Sequence, residues 1–128
     1  AFARLGLPGD FGGSWLLTQL VGPAKAREIF FTSARLDAQE CLALGLFNRV
    51  VPDDELQSAA LTWARELAAG PPIALRWMKA NLNRALRTDL RSCIAEEAER
   101  QCWAAETEDF REATRAFAEK RAPRFEGR

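Results

Sequence analysis

The chain has 128 residues, room for one domain at most, and its 18 lysines and arginines balance 18 aspartates and glutamates. No overall basic field therefore draws it to nucleic acid or to an anionic membrane. Histidine and tyrosine are absent, which excludes a Ser-His-Asp triad, a Cys-His pair, a His-ligated zinc and a tyrosine acid. Chemistry is left to carboxylates, backbone amides, lysine, arginine and cysteine, and no metal site is expected.

In chain order, the first dozen residues are irregular and rich in glycine: Gly6, Gly9, Gly12 and Gly13 surround Leu7, Pro8, Asp10 and Phe11. A helix is expected over 14–21, stopped at Gly22-Pro23, and a second over 24–32, with Ala26, Ile29 and Phe30 on one face. Asp37 with Glu40 three residues on is a capping box, and Gly45 stands where the helix should close. Between them Ala38, Cys41 and Leu42 form the stripe expected to be buried. The short apolar run Leu46–Val51, with β-branched Val50 and Val51 and a stop at Pro52, predicts the one strand of the chain.

Asp53 and Asp54 are expected to cap the next helix, in which Leu56, Ala59, Ala60, Trp63, Ala64 and Leu67 recur at the helical period up to Gly70. Pro71-Pro72 then start another helix at its first positions. Three apolar stripes follow: Ala74, Trp77, Met78, Leu82, Ala85 and Leu86; then Leu90, Cys93, Ile94, Ala98 and Cys102; then Phe110, Ala113, Phe117 and Ala118. The end, Lys120 to Arg128, is basic, and Pro123 breaks any helix there.

A single strand needs a partner, and amphipathic helices need a sheet or each other. The chain is then either an all-α bundle with one stray extended segment or the end of a longer α/β chain. The glycine loop starting almost at residue 1 favours the second. Ala1 is not a methionine, so a preceding segment is expected. Cys41, Cys93 and Cys102 are odd in number and form no close pair, which fits a reducing, cytoplasmic location better than a disulfide framework. All three sit at apolar helical positions, where a small buried thiol is the expected state. No apolar run reaches the roughly 20 residues that span a bilayer.

Two segments are candidate sites. The glycines of Gly6–Gly13 permit positive φ and close backbone approach, and a helix begins right behind them, so the loop can present amides to an anion or a polarised carbonyl. It lacks the lysine of a phosphate loop and the spacing of a dinucleotide fingerprint, so a tight turn is the competing reading. Asp10 is the acid of that loop. In an apolar, partly desolvated pocket its carboxyl would rise in pKa and shuttle protons; otherwise it is a helix N-cap. The second segment is Phe117 with Lys120 and Arg121. An aromatic and two cations can hold the ring and phosphates of a nucleotide, or merely complement a helix C-terminus. The run Glu96, Glu97 and Glu99 reads as a solvated face.

Taken together, Phe2-Ala-Arg-Leu-Gly-Leu, Gly9-Asp-Phe-Gly-Gly-Ser-Trp15, Leu20-Val-Gly-Pro-Ala-Lys-Ala-Arg-Glu28, the stretch from Leu36 to Pro52, and Ala116-Phe-Ala-Glu-Lys-Arg through Arg128 resemble the C-terminal half of the crotonase superfamily, the enoyl-CoA hydratase/isomerase family. The resemblance runs along essentially the whole chain. It implies an α/β fold, the C-terminal part of a spiral of ββα units, predominantly helical within this chain. Residues 1–70 would be the end of the core, with active-site loop, short helices and one strand, and residues 71–128 a C-terminal helical trimerisation region. It also implies homotrimers or hexamers, acyl-CoA thioester substrates, coenzyme A carried as part of the substrate with no permanent cofactor, and two backbone N–H groups that stabilise a thioester enolate.

By the same resemblance both amides and one catalytic glutamate of the hydratases lie upstream, in a missing N-terminal half. The second hydratase glutamate falls where Phe2 stands, and phenylalanine transfers no proton. The loop is instead similar to that of the double-bond isomerases, in which an aspartate works alone, and Asp10 matches it. Where such loops have valine-proline this chain has Pro8-Gly9. Phe2, Leu7, Gly9, Phe11, Gly12, Gly13 and Trp15 are the implied acyl-pocket and loop residues. Phe117 and Lys120 match residues that touch the adenine and phosphates of coenzyme A. The alternative to an enzyme is a non-catalytic assembly module, with four tryptophans available for interfaces.

Overall fold

The structure is a computed structural model and describes residues 2–128. The chain falls into two compact units, Ala1–Leu56 and Gln57–Arg128.

In the first unit a 3₁₀ turn over Ala3–Leu5 ends at Gly6, and α1 follows over Gly13–Thr32. The helical stop expected at Gly22-Pro23 is present inside it: Gly22 has φ 76° and ψ 164°, a region essentially closed to residues with a Cβ, and Pro23 brings no N–H. Its consequence is a reversal. A straight helix would carry Phe30 about 25 Å from Gly13. Yet the tip of the Phe30 ring lies 3.9 Å from where a Cβ on Gly13 would stand. The two halves of α1 therefore fold back on one another as a helical hairpin, with Ala26 buried in it.

Helix α2, Ala38–Ala43, begins at the capping box read from the sequence. The Glu40 N–H donates to the Asp37 carboxylate and the Asp37 N–H to the Glu40 carboxylate, each at 2.8 Å. It ends as a Schellman motif on Gly45 (φ 74°), where the Gly45 N–H donates to the Leu42 carbonyl at 3.0 Å and the Leu46 N–H to that of Cys41 at 2.8 Å. The expected strand at Leu46–Val51 is not formed; these residues run as bends and irregular backbone. A strand exists through the neighbour it pairs with, and no second extended segment pairs with this one among the described residues. The described residues are thus helical, as expected for this part of the chain, and only the one expected strand is absent among them.

The second unit holds α3 (Leu56–Ala68), α4 (Pro72–Ala85), α5 (Leu90–Ala105) and α6 (Glu108–Ala118). Pro72 occupies the first turn of α4, as its missing N–H allows. Asp89 caps α5 by accepting from the Ser92 N–H at 3.0 Å, which holds its carboxyl below the ordinary value. Helices α4 and α5 pack antiparallel. Trp77 meets Trp103 at a ring separation of 5.7 Å, the Arg100 guanidinium lies 5.5 Å from the Trp77 ring, and Arg100 also donates to Asn81. Glu96 accepts from Arg84 at 2.9 Å and from Arg100 at 3.0 Å. It is therefore the charge that joins the two helices, not part of a merely solvated face.

After α6 the chain turns back along it. Asp109, only 4% exposed, accepts from the N–H groups of Glu126 and Gly127 at 2.7 and 3.0 Å, while its own N–H donates to the Arg128 carbonyl at 3.0 Å. One turn on, Glu112 accepts both ends of the Arg121 guanidinium, and the Arg124 N–H at 3.0 Å. The tail is a strap held by two carboxylates.

The apolar stripes stand at the expected spacing, but they are not covered. Leu82 and Leu90 are 70% and 75% exposed, Leu42 in α2 is exposed too, and the buried apolar residues among those described are Ala26 and Ala116. The thiols differ from expectation accordingly: Cys41 and Cys93 are half-buried and Cys102 is exposed. No helix among the described residues is long and apolar enough to cross a membrane.

Replacing Asp109 with alanine leaves the Glu126 and Gly127 N–H groups without their acceptor, an expected loss of about 1–3 kcal/mol. Urea denaturation and faster hydrogen exchange at those two amides measure it. Arg121 first, and then the Arg124 N–H, hold the Glu112 carboxyl at about 2. A carboxyl lowered on folding stabilises above its unfolded pKa, and that stabilisation is lost as pH falls through the folded one. The Arg124 amide resonance should accordingly titrate near pH 2, not near the model-peptide value of about 4.3. In Glu112→Gln that titration should vanish.

Candidate functional site

The glycine loop is shaped by successive left-handed residues. Gly6, Gly9 and Gly12 have φ of 67°, 110° and 74°, and Phe11, which carries a full side chain, has φ 48°. A bulky residue in this region is an outlier that its surroundings must hold in place. The loop closes onto α1 when the Gly13 N–H donates to the Asp10 carbonyl at 2.8 Å.

Beneath the loop lies Phe30, delivered by the reversal of α1. Its ring is stacked on Phe2 with centroids 5.9 Å apart and planes 11° from parallel. A Cβ on Gly9 would stand 3.0 Å from the Phe30 ring, and its φ of 110° is one that side chains rarely adopt, so the close approach favours glycine. Phe2 thus has a definite place as a support for the loop. Phe30 was legible as an apolar helix position and not as part of the site, because its contact depends on the turn at Gly22.

Asp10 itself is exposed, as are Leu7, Phe11 and Trp15, with Phe11 97% exposed. The enclosed apolar setting envisaged for its carboxyl is therefore not supplied by these residues. Its other reading fails as well: the N-cap of α1 is Gly12, with no side-chain cap, so Asp10 does not cap the helix. What remains is a carboxylate in a loop of left-handed residues, with no side-chain hydrogen bond among the described residues.

The second candidate segment lies at the end of α6. Phe117 is 87% exposed. Lys120 has φ 54° because it occupies the glycine position of a second Schellman motif: its N–H donates to the Phe117 carbonyl at 3.2 Å, and the Arg121 N–H to that of Ala116 at 3.0 Å. Arg121 is committed to Glu112 and Glu119, so its guanidinium is not free for a ligand. Of this segment, Phe117 and Lys120 have no ring contact or ion pair among the described residues. Asp10 lies in the first unit and this pair in the second.

Known proteins resemble this chain closely. A short-chain-enoyl-CoA hydratase of Clostridium acetobutylicum is 36% identical over 119 residues, 91% of this chain and 45% of that protein. A 1,2-epoxyphenylacetyl-CoA isomerase of Escherichia coli is 35% identical over 128 residues, 100% of this chain and 49% of that protein. The crystal structure of an enoyl-CoA hydratase/isomerase from Cupriavidus metallidurans superposes with a TM-score of 0.91 at 37% identity, covering 99% of this chain and 48% of that one. The chain thus spans about half the length of the relatives it matches. The enoyl-CoA hydratase/isomerase family model matches residues 1–128, and with these relatives it establishes that the chain belongs to that family, within the crotonase superfamily.

Proposed function

We propose that this chain is the C-terminal half of an acyl-CoA-processing enzyme that shifts or hydrates the double bond of an enoyl thioester, with Asp10 as its acid/base. The observation that carries this reading is the state of Asp10. It is presented by a loop stacked over Phe30 and is not used as a helix cap. Asp10 would take a proton from the α- or γ-carbon of the thioester and return it at the other end of the shifted double bond. Backbone amides from the preceding part of the protein would hold the enolate oxygen, where fixed donors act most strongly. Phe2 at the position of a hydratase glutamate favours isomerisation over two-glutamate hydration, and the similarity to a coenzyme A thioester isomerase is consistent with that.

In this reading coenzyme A enters as part of the substrate. Phe117 would lie against the adenine and Lys120 against the phosphates, in trimers or hexamers assembled through the helices of residues 71–128. The ββα spiral would belong to the whole protein, in which the Leu46–Val51 segment finds its pairing strands. A place in fatty acid metabolism in the cytoplasm follows from the same reading.

In the full-length protein, Asp10→Asn assayed on a 3-enoyl-CoA should lower kcat by about 10²–10⁴-fold, the usual worth of a positioned proton carrier. Turnover at the wild-type rate would remove Asp10 from the mechanism. Lys120→Gly separates backbone from ligand. Relieving the left-handed lysine should stabilise the fold by about 0.5–1 kcal/mol. Loss of the ammonium should raise KM for the acyl-CoA without lowering kcat. Thermal melts and steady-state kinetics measure the two effects side by side.

A further inference from the structure

We propose that the groove between α6 and the strapped tail is a binding site for a phosphate-bearing anion. The groove has a volume of about 880 Å³ and is walled by α6 on one side and the returning tail on the other. Helix α6 supplies Arg111 and Arg115, one turn apart, and the tail supplies Arg124. Phe117 and Lys120 are not among its lining residues, and the proposal does not depend on the chemistry assigned to Asp10.

The charges of the groove sort into those already used and those left over. Arg121 is paired with Glu112 and Glu119, and Arg128 with Glu108 and Glu126. Asp109 and Glu112 spend their oxygens on the tail backbone and on Arg121. Arg115 is near enough to Glu112 to help lower its carboxyl, but forms no ion pair with it. Arg111, Arg115 and Arg124 therefore line one groove and form no ion pair with a carboxylate among the described residues.

Planar guanidinium forks match the paired oxygens of a phosphate. A groove of this size suits a nucleotide-sized or smaller ligand. The buried Asp109 fixes the path of the tail, so the groove is formed before the ligand arrives and little ordering is required on binding. The phosphate could come from an organic ligand or from free inorganic phosphate.

The test is calorimetry of the intact protein with inorganic pyrophosphate, together with amide NMR spectra of the same titration. Saturable binding is expected, with the Arg111, Arg115 and Arg124 cross-peaks moving. The variant R111Q/R115Q should bind about tenfold or more weakly, since each charge-assisted hydrogen bond is worth about a factor of ten. E108Q should bind as tightly as wild type or more so. Displacement of the pyrophosphate by coenzyme A would locate the phosphates of an organic ligand in the groove; binding that persists would identify a free-phosphate site. Absence of saturable binding, unchanged affinity in R111Q/R115Q, shifts confined to residues outside the groove, or preference for an acidic peptide over pyrophosphate would each overturn the proposal.

Discussion

Gly22 takes a backbone conformation that no side chain tolerates, and through it α1 turns back on itself. The aromatic contacts of the glycine loop depend on that turn. Phe30 reaches the loop because the helix reverses, Phe2 stacks on Phe30, and Gly9 passes close to the ring, an approach that favours glycine. The left-handed residue Phe11 and the exposed carboxylate of Asp10 follow Gly9 in this loop. A loop rich in glycine is ordinarily loose, because glycine loses the most conformational freedom on folding. Here a pair of rings beneath it supplies the order.

The second unit solves a similar problem with charge instead of aromatic contact. Its last residues contain no regular structure, yet the N–H groups of Arg124, Glu126 and Gly127 are accepted by Glu112 and Asp109 on α6. A buried carboxylate is costly unless hydrogen-bonded, and Asp109 meets that condition entirely with backbone donors. Between α4 and α5 the Arg84–Glu96–Arg100 set acts in the same way, and sits beside tryptophans where the helices touch. With so little apolar surface fully enclosed, these polar links define where the helices and the tail lie.

What could be read from the sequence was what is local. The Asp37–Glu40 box, the closing Gly45, the break at Gly22-Pro23 and the opening Pro72 each depend on a few neighbouring residues, and each is found. The Leu46–Val51 strand failed because pairing is a property of two segments and composition describes one. Glu96 was taken for surface because its partner Arg84 is on another helix, and the clamp on the tail was invisible because Asp109 and Gly127 are far apart in sequence. In the candidate site, residue type and position single out Asp10, Phe117 and Lys120, and the family resemblance alone suggests a role for each. The left-handed backbone of Phe11 and Lys120 carries no signature in residue type, since both positions ordinarily call for glycine or asparagine.

The contact of Trp77 with Trp103 has a use beyond packing. Two indoles at a ring separation of 5.7 Å and tilted by 51° are close enough for their transition dipoles to couple, and one belongs to α4 and the other to α5. The protein therefore carries an intrinsic optical reporter of helix docking. An exciton signal in circular dichroism from this pair would follow the joining of α4 to α5 without any label.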